Sequence, residues 1–347
     1  MNLDSQEEIK QLDKSNVGGS IDSLPDQCLH AWEEASKLEV PEEYKNFDNI
    51  VMTGMGGSGL GARVIESVFG KQITKPLVRV NDYGLPNFVS ENSLIFCSSY
   101  SGNTEETLSA ANEAILKNTK WMAIGAGGKL IELAKQKSVP YFQIVPTFNP
   151  SNQPRMAIGY SVVGQLVLAS KVGLINIEGQ DIQDAVEVMR ATQNKKQEAK
   201  KLAKLMFGKT IYFISAEHLT GATHTINNQL NENGKVFSAD FVLPELNHHL
   251  MEGLKNPVTN NQTLFLFFAD SDLYSDNLKK RVEVTKDVVT KNNIQLYSFK
   301  LTSNKKLSQA FELIQFGAYV DFYLALLYGV NPAPIPWVDY FKEQLAK

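Results

Sequence analysis

The chain is poor in several things, and each shortage excludes something. It has two cysteines, Cys28 and Cys97, in 347 residues. They are far apart and lack metal-ligand spacing, so no disulfide framework or cysteine-based metal site can be built from them. A reducing, cytoplasmic setting is therefore expected. Cys97 falls inside a strand-like run and reads as a small core residue. There is no excess of positive charge: the net charge is −4. That gives no electrostatic footing for nucleic acid or for an acidic membrane. No apolar run in the sequence approaches the length of a transmembrane helix. The N-terminus, Met1-Asn-Leu-Asp-Ser-Gln-Glu-Glu, lacks the basic and apolar regions of a signal peptide.

What the chain does have is alternation. Short β-type runs fall at Asn49–Thr53, Leu77–Val80, Leu94–Ser98, Trp121–Ile124 and Tyr141–Val145, and again at Thr210–Ser215, Phe237–Val242, Leu264–Ala269 and Leu296–Leu301. Helical patterns separate them, near Gly59–Phe69, Thr104–Lys117, Lys129–Lys137 and Arg155–Val172, then near His218–Gly234, Tyr274–Lys291 and Leu307–Tyr328. Such spacing predicts an α/β protein with mostly parallel sheets flanked by helices on both faces. The length allows two domains. Residues 1–20 read as a polar N-terminal arm, 21–178 as a first domain and 179–347 as a second. The join, Asp181 to Gly208, carries Arg190, Lys195, Lys196, Lys200, Lys201 and Lys204, and reads as a solvated helix rather than a nucleic-acid patch. Asn331-Pro-Ala-Pro-Ile-Pro336 breaks the preceding helix, and a last short helix is expected near Trp337–Leu345.

Two loops carry possible chemistry in the first half. Ser98-Ser99-Tyr100-Ser101-Gly102-Asn103-Thr104 ends a strand and opens a helix. The hydroxyls of Ser99, Ser101 and Thr104, with the free N–H groups of the helix start, could cradle an anion. The same residues are also ordinary helix caps, and the segment alone does not choose. With no Lys or Arg in it, it is not a nucleotide-triphosphate P-loop. Gly54-Met55-Gly56-Gly57-Ser58-Gly59 follows the first strand and fits G-x-G-x-x-G, with Asp82 near where a ribose-binding carboxylate is expected. A dinucleotide site is one reading of this loop. The other is close backbone approach to the sugar of a phosphorylated ligand held by the hydroxyl loop, since both loops leave strand carboxyl ends.

The second half offers acid–base groups. Glu232 stands between two amides in Asn231-Glu232-Asn233, and His248 follows Pro244-Glu245-Leu246-Asn247. A fixed glutamate suits proton transfer between adjacent carbons, and a histidine suits protonation at a ring oxygen. Either residue could equally be a surface helix residue or a satisfied histidine. His248-His249 suggests a metal only superficially, because adjacent side chains on a helix diverge and no further ligands are near; no metal is assigned. Arg155, in Gln153-Pro154-Arg155, could stabilise an enediolate oxygen or simply face solvent. Lys342 lies beside Trp337, Phe341 and Leu345, and by itself reads as a snorkelling lysine.

Taken in order, Gly54-Met-Gly-Gly-Ser-Gly, Ser99-Tyr-Ser-Gly-Asn-Thr-Glu-Glu, Gln153-Pro-Arg, Asn231-Glu-Asn and Pro244-Glu-Leu-Asn-His resemble the bifunctional phosphoglucose/phosphomannose isomerases of the sugar isomerase (SIS) domain superfamily. The resemblance runs from about residue 25 to the end. It implies two SIS-type domains and a homodimer with sites near its interface. It implies an isomerase of hexose 6-phosphates, converting glucose 6-phosphate or mannose 6-phosphate to fructose 6-phosphate. Ser99, Ser101 and Thr104 would hold the phosphate, and Gly56, Gly57 and Ser58 would lie against the sugar. Arg155 would stabilise an enediolate, Glu232 would move the proton between C1 and C2, and His248, from the neighbouring subunit, would assist ring opening. Lys342 best matches a C-terminal site lysine, with Lys347 the weaker match. Such chemistry needs no cofactor and no metal. A non-catalytic SIS-type sugar-phosphate sensor is the alternative; it would need only the two loops. The chain departs from the family at Thr223–Gln229, where basic residues are usual, and at His249, where asparagine is usual.

Overall fold

The computed structural model describes residues 1–345 and Lys347. It contains two parallel sheets with helices packed on both faces. The first sheet joins β1 (Asn49–Thr53), β2 (Leu77–Val80), β3 (Ser93–Ser98), β4 (Lys120–Gly125) and β5 (Tyr141–Gln143) in the order β2-β1-β3-β4-β5. The second joins β6 (Thr210–Ala216), β7 (Ser238–Leu243), β8 (Leu264–Asp270) and β9 (Gln295–Lys300) in the order β7-β6-β8-β9. In each, the first strand lies inside, the second on one side of it and the third on the other. All neighbouring pairs are parallel. The inner strands β1, β3, β4 and β8 are apolar runs buried on both faces, as parallel strands between helical layers must be, while the edge strands β2, β7 and β9 are only partly buried. Every residue of β3, Cys97 included, is buried, and both cysteines are free and buried.

Residues 1–20 differ from the expected arm. They form the helix Gln6–Leu12 and the start of the helix Val17–Asp22, bury Leu3 and Val17, and pair Asp4 with Lys200 at 2.7 Å. The helix Leu24–Ser36, absent from the sequence reading, packs against Ile158–Lys171. The basic join is also more than a solvated connector. It is two amphipathic helices, Gly179–Thr192 and Lys196–Met206, which bury Ile182, Val186 and Met189, then Leu202 and Met206. Lys201 and Lys204 stay on the outer face, as amphipathic packing requires, whereas Lys200 is covered by its pairing with Asp4.

One helix, Lys306–Leu327, has the length and apolar composition to cross a bilayer, contrary to the expectation that no run comes near it. It is buried along nearly its whole length against Gly179–Thr192, Lys196–Met206 and Thr220–Gln229, which explains why it is apolar on every side. The two halves meet where the helix Leu60–Phe69 crosses Thr220–Gln229. There a Cβ on Gly221 would lie 2.5 Å from the carbonyl oxygen of Arg63, so glycine permits the close approach.

Candidate active site

The glycine loop leaves the carboxyl end of β1 as a tight turn, Gly56–Gly59, before the helix Leu60–Phe69. Gly56 has φ +51°, and a Cβ on Gly54 would sit 2.9 Å from the carbonyl oxygens of Ser58 and Ser98. The loop is fixed from three sides. Asn81 Nδ2 donates to the Gly54 carbonyl at 2.6 Å, Gln165 Nε2 to the Ser58 carbonyl at 2.8 Å and Ser161 Oγ to the Gly57 carbonyl at 3.1 Å.

The hydroxyl loop leaves β3, the strand beside β1. Ser99 is fully buried; its Oγ lies 2.8 Å from Thr104 Oγ1 and accepts from the Gly102 N–H at 3.1 Å. Thr104 stands at the N-cap of the helix Glu105–Leu116 but makes no side-chain cap. The ordinary capping arrangement is therefore not the one formed, and the first-turn N–H groups keep the positive end of the helix dipole open. Ser101 is exposed at the loop's outer edge, its Oγ accepting from the Asn103 N–H at 3.2 Å. Gly102 has φ +69°, and a Cβ there would fall 1.8 Å from the Gly127 carbonyl oxygen. The two loops are joined directly, since the Tyr100 N–H donates to Ser58 Oγ at 2.9 Å.

Gly57 leads from the loops to Arg155, whose Cα lies 3.6 Å from where its Cβ would be. Arg155 is buried rather than solvent-facing. Its Nε donates to Asn233 Oδ1 at 2.6 Å and its Nη1 to Gln153 Oε1 at 3.0 Å; Nη2 donates to the carbonyls of Pro332 at 2.9 Å and Ala333 at 2.5 Å. A guanidinium has five N–H donors, so this network occupies most of them. Its Nε also lies 3.8 Å from Glu232 Oε2.

Glu232 sits in a single π-turn, Leu230–Gly234, at the end of Thr220–Gln229. Such turns are uncommon and favour functional sites. The flanking amides hold it: Asn231 Nδ2 donates to Ser238 Oγ at 2.8 Å and to the Asn227 carbonyl at 2.9 Å, while Asn233 is tied to Arg155. Burial raises the Glu232 carboxyl above its ordinary pKa, partly opposed by the charges of Arg155, Lys235 and Lys342. Lys342 is exposed on the helix Pro336–Leu345 but is near enough to act on Glu232; Lys347 Nζ bonds the Gln344 side chain at 3.1 Å.

His248 is not brought to this cluster. Asn231 is bound at the amino end of β7, and His248 lies exposed beyond the carboxyl end. Six strand residues separate the ends, about 20 Å at the usual rise. His249 turns back to the Glu245 carbonyl at 3.1 Å, away from any shared site. Lys235 was not singled out from the sequence: its Nζ donates to the Glu232 carbonyl at 2.7 Å and the Pro332 carbonyl at 2.8 Å. Nothing local signals this, because Pro332 lies 97 residues away. The departure at Thr223–Gln229 has a structural reason here. Most of these residues are buried, and His224 and Asn227 both bond Asp240, at 3.0 and 3.2 Å.

Known proteins resemble the chain over most of its length. A family model described as the bacterial phospho-glucose isomerase C-terminal SIS domain matches residues 195–345. The bifunctional phosphoglucose/phosphomannose isomerase of Caldicellulosiruptor bescii is 33% identical over 346 residues, 94% of this chain and 98% of its own. That of Aquifex aeolicus is 31% identical over 318 residues, 91% of this chain and 94% of its own. Among solved structures, a hypothetical protein of Thermus thermophilus superposes with TM-score 0.75 at 16% identity, covering 98% of this chain and 93% of that one. The C-terminal domain of glucosamine-fructose-6-phosphate aminotransferase from Francisella tularensis superposes with TM-score 0.69 at 12% identity, covering 90% and 96%. The structural likenesses establish the fold, and the sequence relatives establish the rest: the chain is a sugar-phosphate isomerase and belongs to the bifunctional phosphoglucose/phosphomannose isomerase family.

Proposed function

We propose that the protein interconverts glucose 6-phosphate and mannose 6-phosphate with fructose 6-phosphate through a cis-enediolate. The observation that carries this reading is one connected run of contacts. The hydroxyl loop bonds Ser58, the glycine loop backs Arg155, and Arg155 faces Glu232. A phosphate held at Ser101, Thr104 and the helix start is remote from the reacting carbons, so its binding energy orients C1 and C2 at the base. Glu232 takes the proton from one carbon and returns it to the other, and its raised pKa brings it closer to the working pH of a general base. Arg155 stays cationic and stabilises the negative oxygen of the enediolate by its field.

Ring opening needs a second group. His248 of the same chain lies beyond the opposite end of β7 from the Glu232 turn, so the reading includes a homodimer in which the second copy brings its own His248. Exposed Trp337, Tyr340 and Phe341 on the helix that carries Lys342 support association near the site. The test is to supply purified protein with fructose 6-phosphate and follow glucose 6-phosphate and mannose 6-phosphate separately. Formation of both supports the reading. Neither forming, with fructose 6-phosphate still bound, replaces it with a sugar-phosphate sensor.

A further inference from the structure

The residue after the catalytic turn is in the wrong conformation for its type. Lys235 has φ +53° and ψ +34°, the left-handed region in which glycine and asparagine are at ease and a lysine is strained. Gly234 immediately precedes it, so the chain had a glycine at hand and still places a long cationic side chain at the strained position. The side chain is used. Its ammonium joins two carbonyls that are far apart in sequence: that of Glu232 at 2.7 Å and that of Pro332 at 2.8 Å. Arg155 takes the same Pro332 carbonyl from the other side, along with that of Ala333. Two cations thus grip the segment just before the helix Pro336–Leu345, and one of them grips the backbone of the catalytic glutamate as well.

The geometry points to Lys235 as a positioning residue: it clamps the Glu232 turn to the Pro332–Ala333 segment, so that the base and the C-terminal helix bearing Lys342 are held as one unit. This rests on the isomerase reading above. Asn231 and Asn233 hold Glu232 through its neighbours, whereas Lys235 is the side chain that bonds Glu232's own backbone among the described residues. The charged groups facing the ammonium are Arg155, from the turn before the helix Ile158–Lys171, and Glu232; Lys342 and Asp339 of the C-terminal helix act on Glu232 and Arg155 in turn. Burial and Arg155 together lower the Lys235 pKa to about 8, so the clamp carries its full charge only below that pH.

Three variants test it. Lys235→Gly relieves the left-handed strain while giving up the two carbonyl contacts, so its melting temperature should stay close to that of the parent. Its kcat should nevertheless fall at least about tenfold, with KM for fructose 6-phosphate changed by less than about twofold, because the base is mispositioned and the phosphate site untouched. Its acid limb of kcat/KM should move to higher pH, because one of the cations that hold down the Glu232 pKa is gone. Lys235→Gln should share that pH shift, and Lys235→Arg should restore both rate and limb. Hydrogen exchange gives a readout independent of turnover: residues 331–345 should exchange faster in Lys235→Gly. Parental kcat with an unmoved acid limb in the glycine variant, or a rate loss matched by lost folded protein, would overturn the proposal. If the parent protein does not isomerise fructose 6-phosphate, the isomerase reading fails on its own, and unchanged exchange at 331–345 would then still refute the clamp.

Discussion

The inner strands β1 and β6 occupy the same place in their sheets, and the loops at their carboxyl ends are put to opposite uses. In an open parallel sheet the crevice between the first and third strands is where a ligand is expected. Between β1 and β3 that crevice is bordered by Gly54–Gly59 and by a serine loop whose helix start is uncapped. Between β6 and β8 the corresponding space is filled. His218 Nε2 lies 2.8 Å from Gln309 Oε1, Ser271 Oγ donates to the same oxygen at 2.6 Å, and Tyr274 OH accepts from the Ala216 N–H at 3.1 Å and donates to the Ala269 carbonyl at 2.9 Å. All four side chains are buried. The second half instead presents its chemistry from the amino end of β7, where the π-turn sets Glu232 against Arg155 of the first half. The fold therefore supplies two equivalent strand ends, one bordered by the glycine and hydroxyl loops and the other packed with buried polar side chains.

That division predicts that the two halves fail differently. The largest effect belongs to Glu232→Gln. Loss of a general base should lower kcat by about 10²–10⁴-fold, while fructose 6-phosphate binding, measured by calorimetry, survives. Retained kcat would break the assignment of chemistry to the second half. The pH profile carries a matching sign. The base works ionised, and burial raises its pKa above that of a free glutamate, so the parent's acid limb should lie above the free-glutamate range and disappear in the variant's residual activity. A limb at or below the ordinary glutamate value would contradict the burial seen here.

Next in size is Gly102→Ala. Its φ of +69° and the Gly127 carbonyl 1.8 Å from the new Cβ leave no room without moving the hydroxyl loop. The backbone strain alone costs on the order of 1–3 kcal/mol. Urea unfolding should show that loss, and KM should rise by at least an order of magnitude as the loop is displaced. Unchanged KM would mean that the loop does not hold substrate. Ser101→Ala removes one outward hydroxyl and its exposed contact with the Asn103 N–H, which water can replace. Loss of one charge-assisted hydrogen bond predicts roughly 1–3 kcal/mol in kcat/KM, with unfolding unchanged.

Much of this comparison was legible before any coordinates. β1 and β2 coincide with their predicted spans, and the other strands differ at their ends by one or two residues, because β-branched runs between helical patterns leave few alternatives. The glycine loop, the hydroxyl loop, Arg155 and Glu232 each lie in a short local motif with a bland alternative, and only their order along the chain, through the family resemblance, singled them out. What was not legible depends on long-range geometry. That Glu232 and His248 fall at opposite ends of β7 needs the direction of the strand. That Arg155 spends its donors on Pro332, Ala333 and Asn233 needs partners 78 to 178 residues away. The N-terminal helices were hidden by their polar composition, and their order comes from packing onto the second half, as at Gly18 against Phe322.

The smallest effect is the most discriminating, because it compares two serines in matched places. Ser99 follows the last residue of β3 and Ser271 follows the last residue of β8. Both are fully buried, and each accepts a backbone N–H from its own turn, Gly102 at 3.1 Å and Leu273 at 2.9 Å. They part at the second contact, Ser99 bonding Thr104 in the open loop and Ser271 bonding the plug residue Gln309. Ser271→Ala should therefore cost about 0.5–1.5 kcal/mol of unfolding free energy and leave KM and kcat at parental values. Ser99→Ala should cost a similar amount of stability but also raise KM, since Thr104 loses the partner that orients it. If Ser271→Ala raised KM as well, the packed end of β8 would be coupled to the substrate site, and the contrast between the two halves would have to be abandoned.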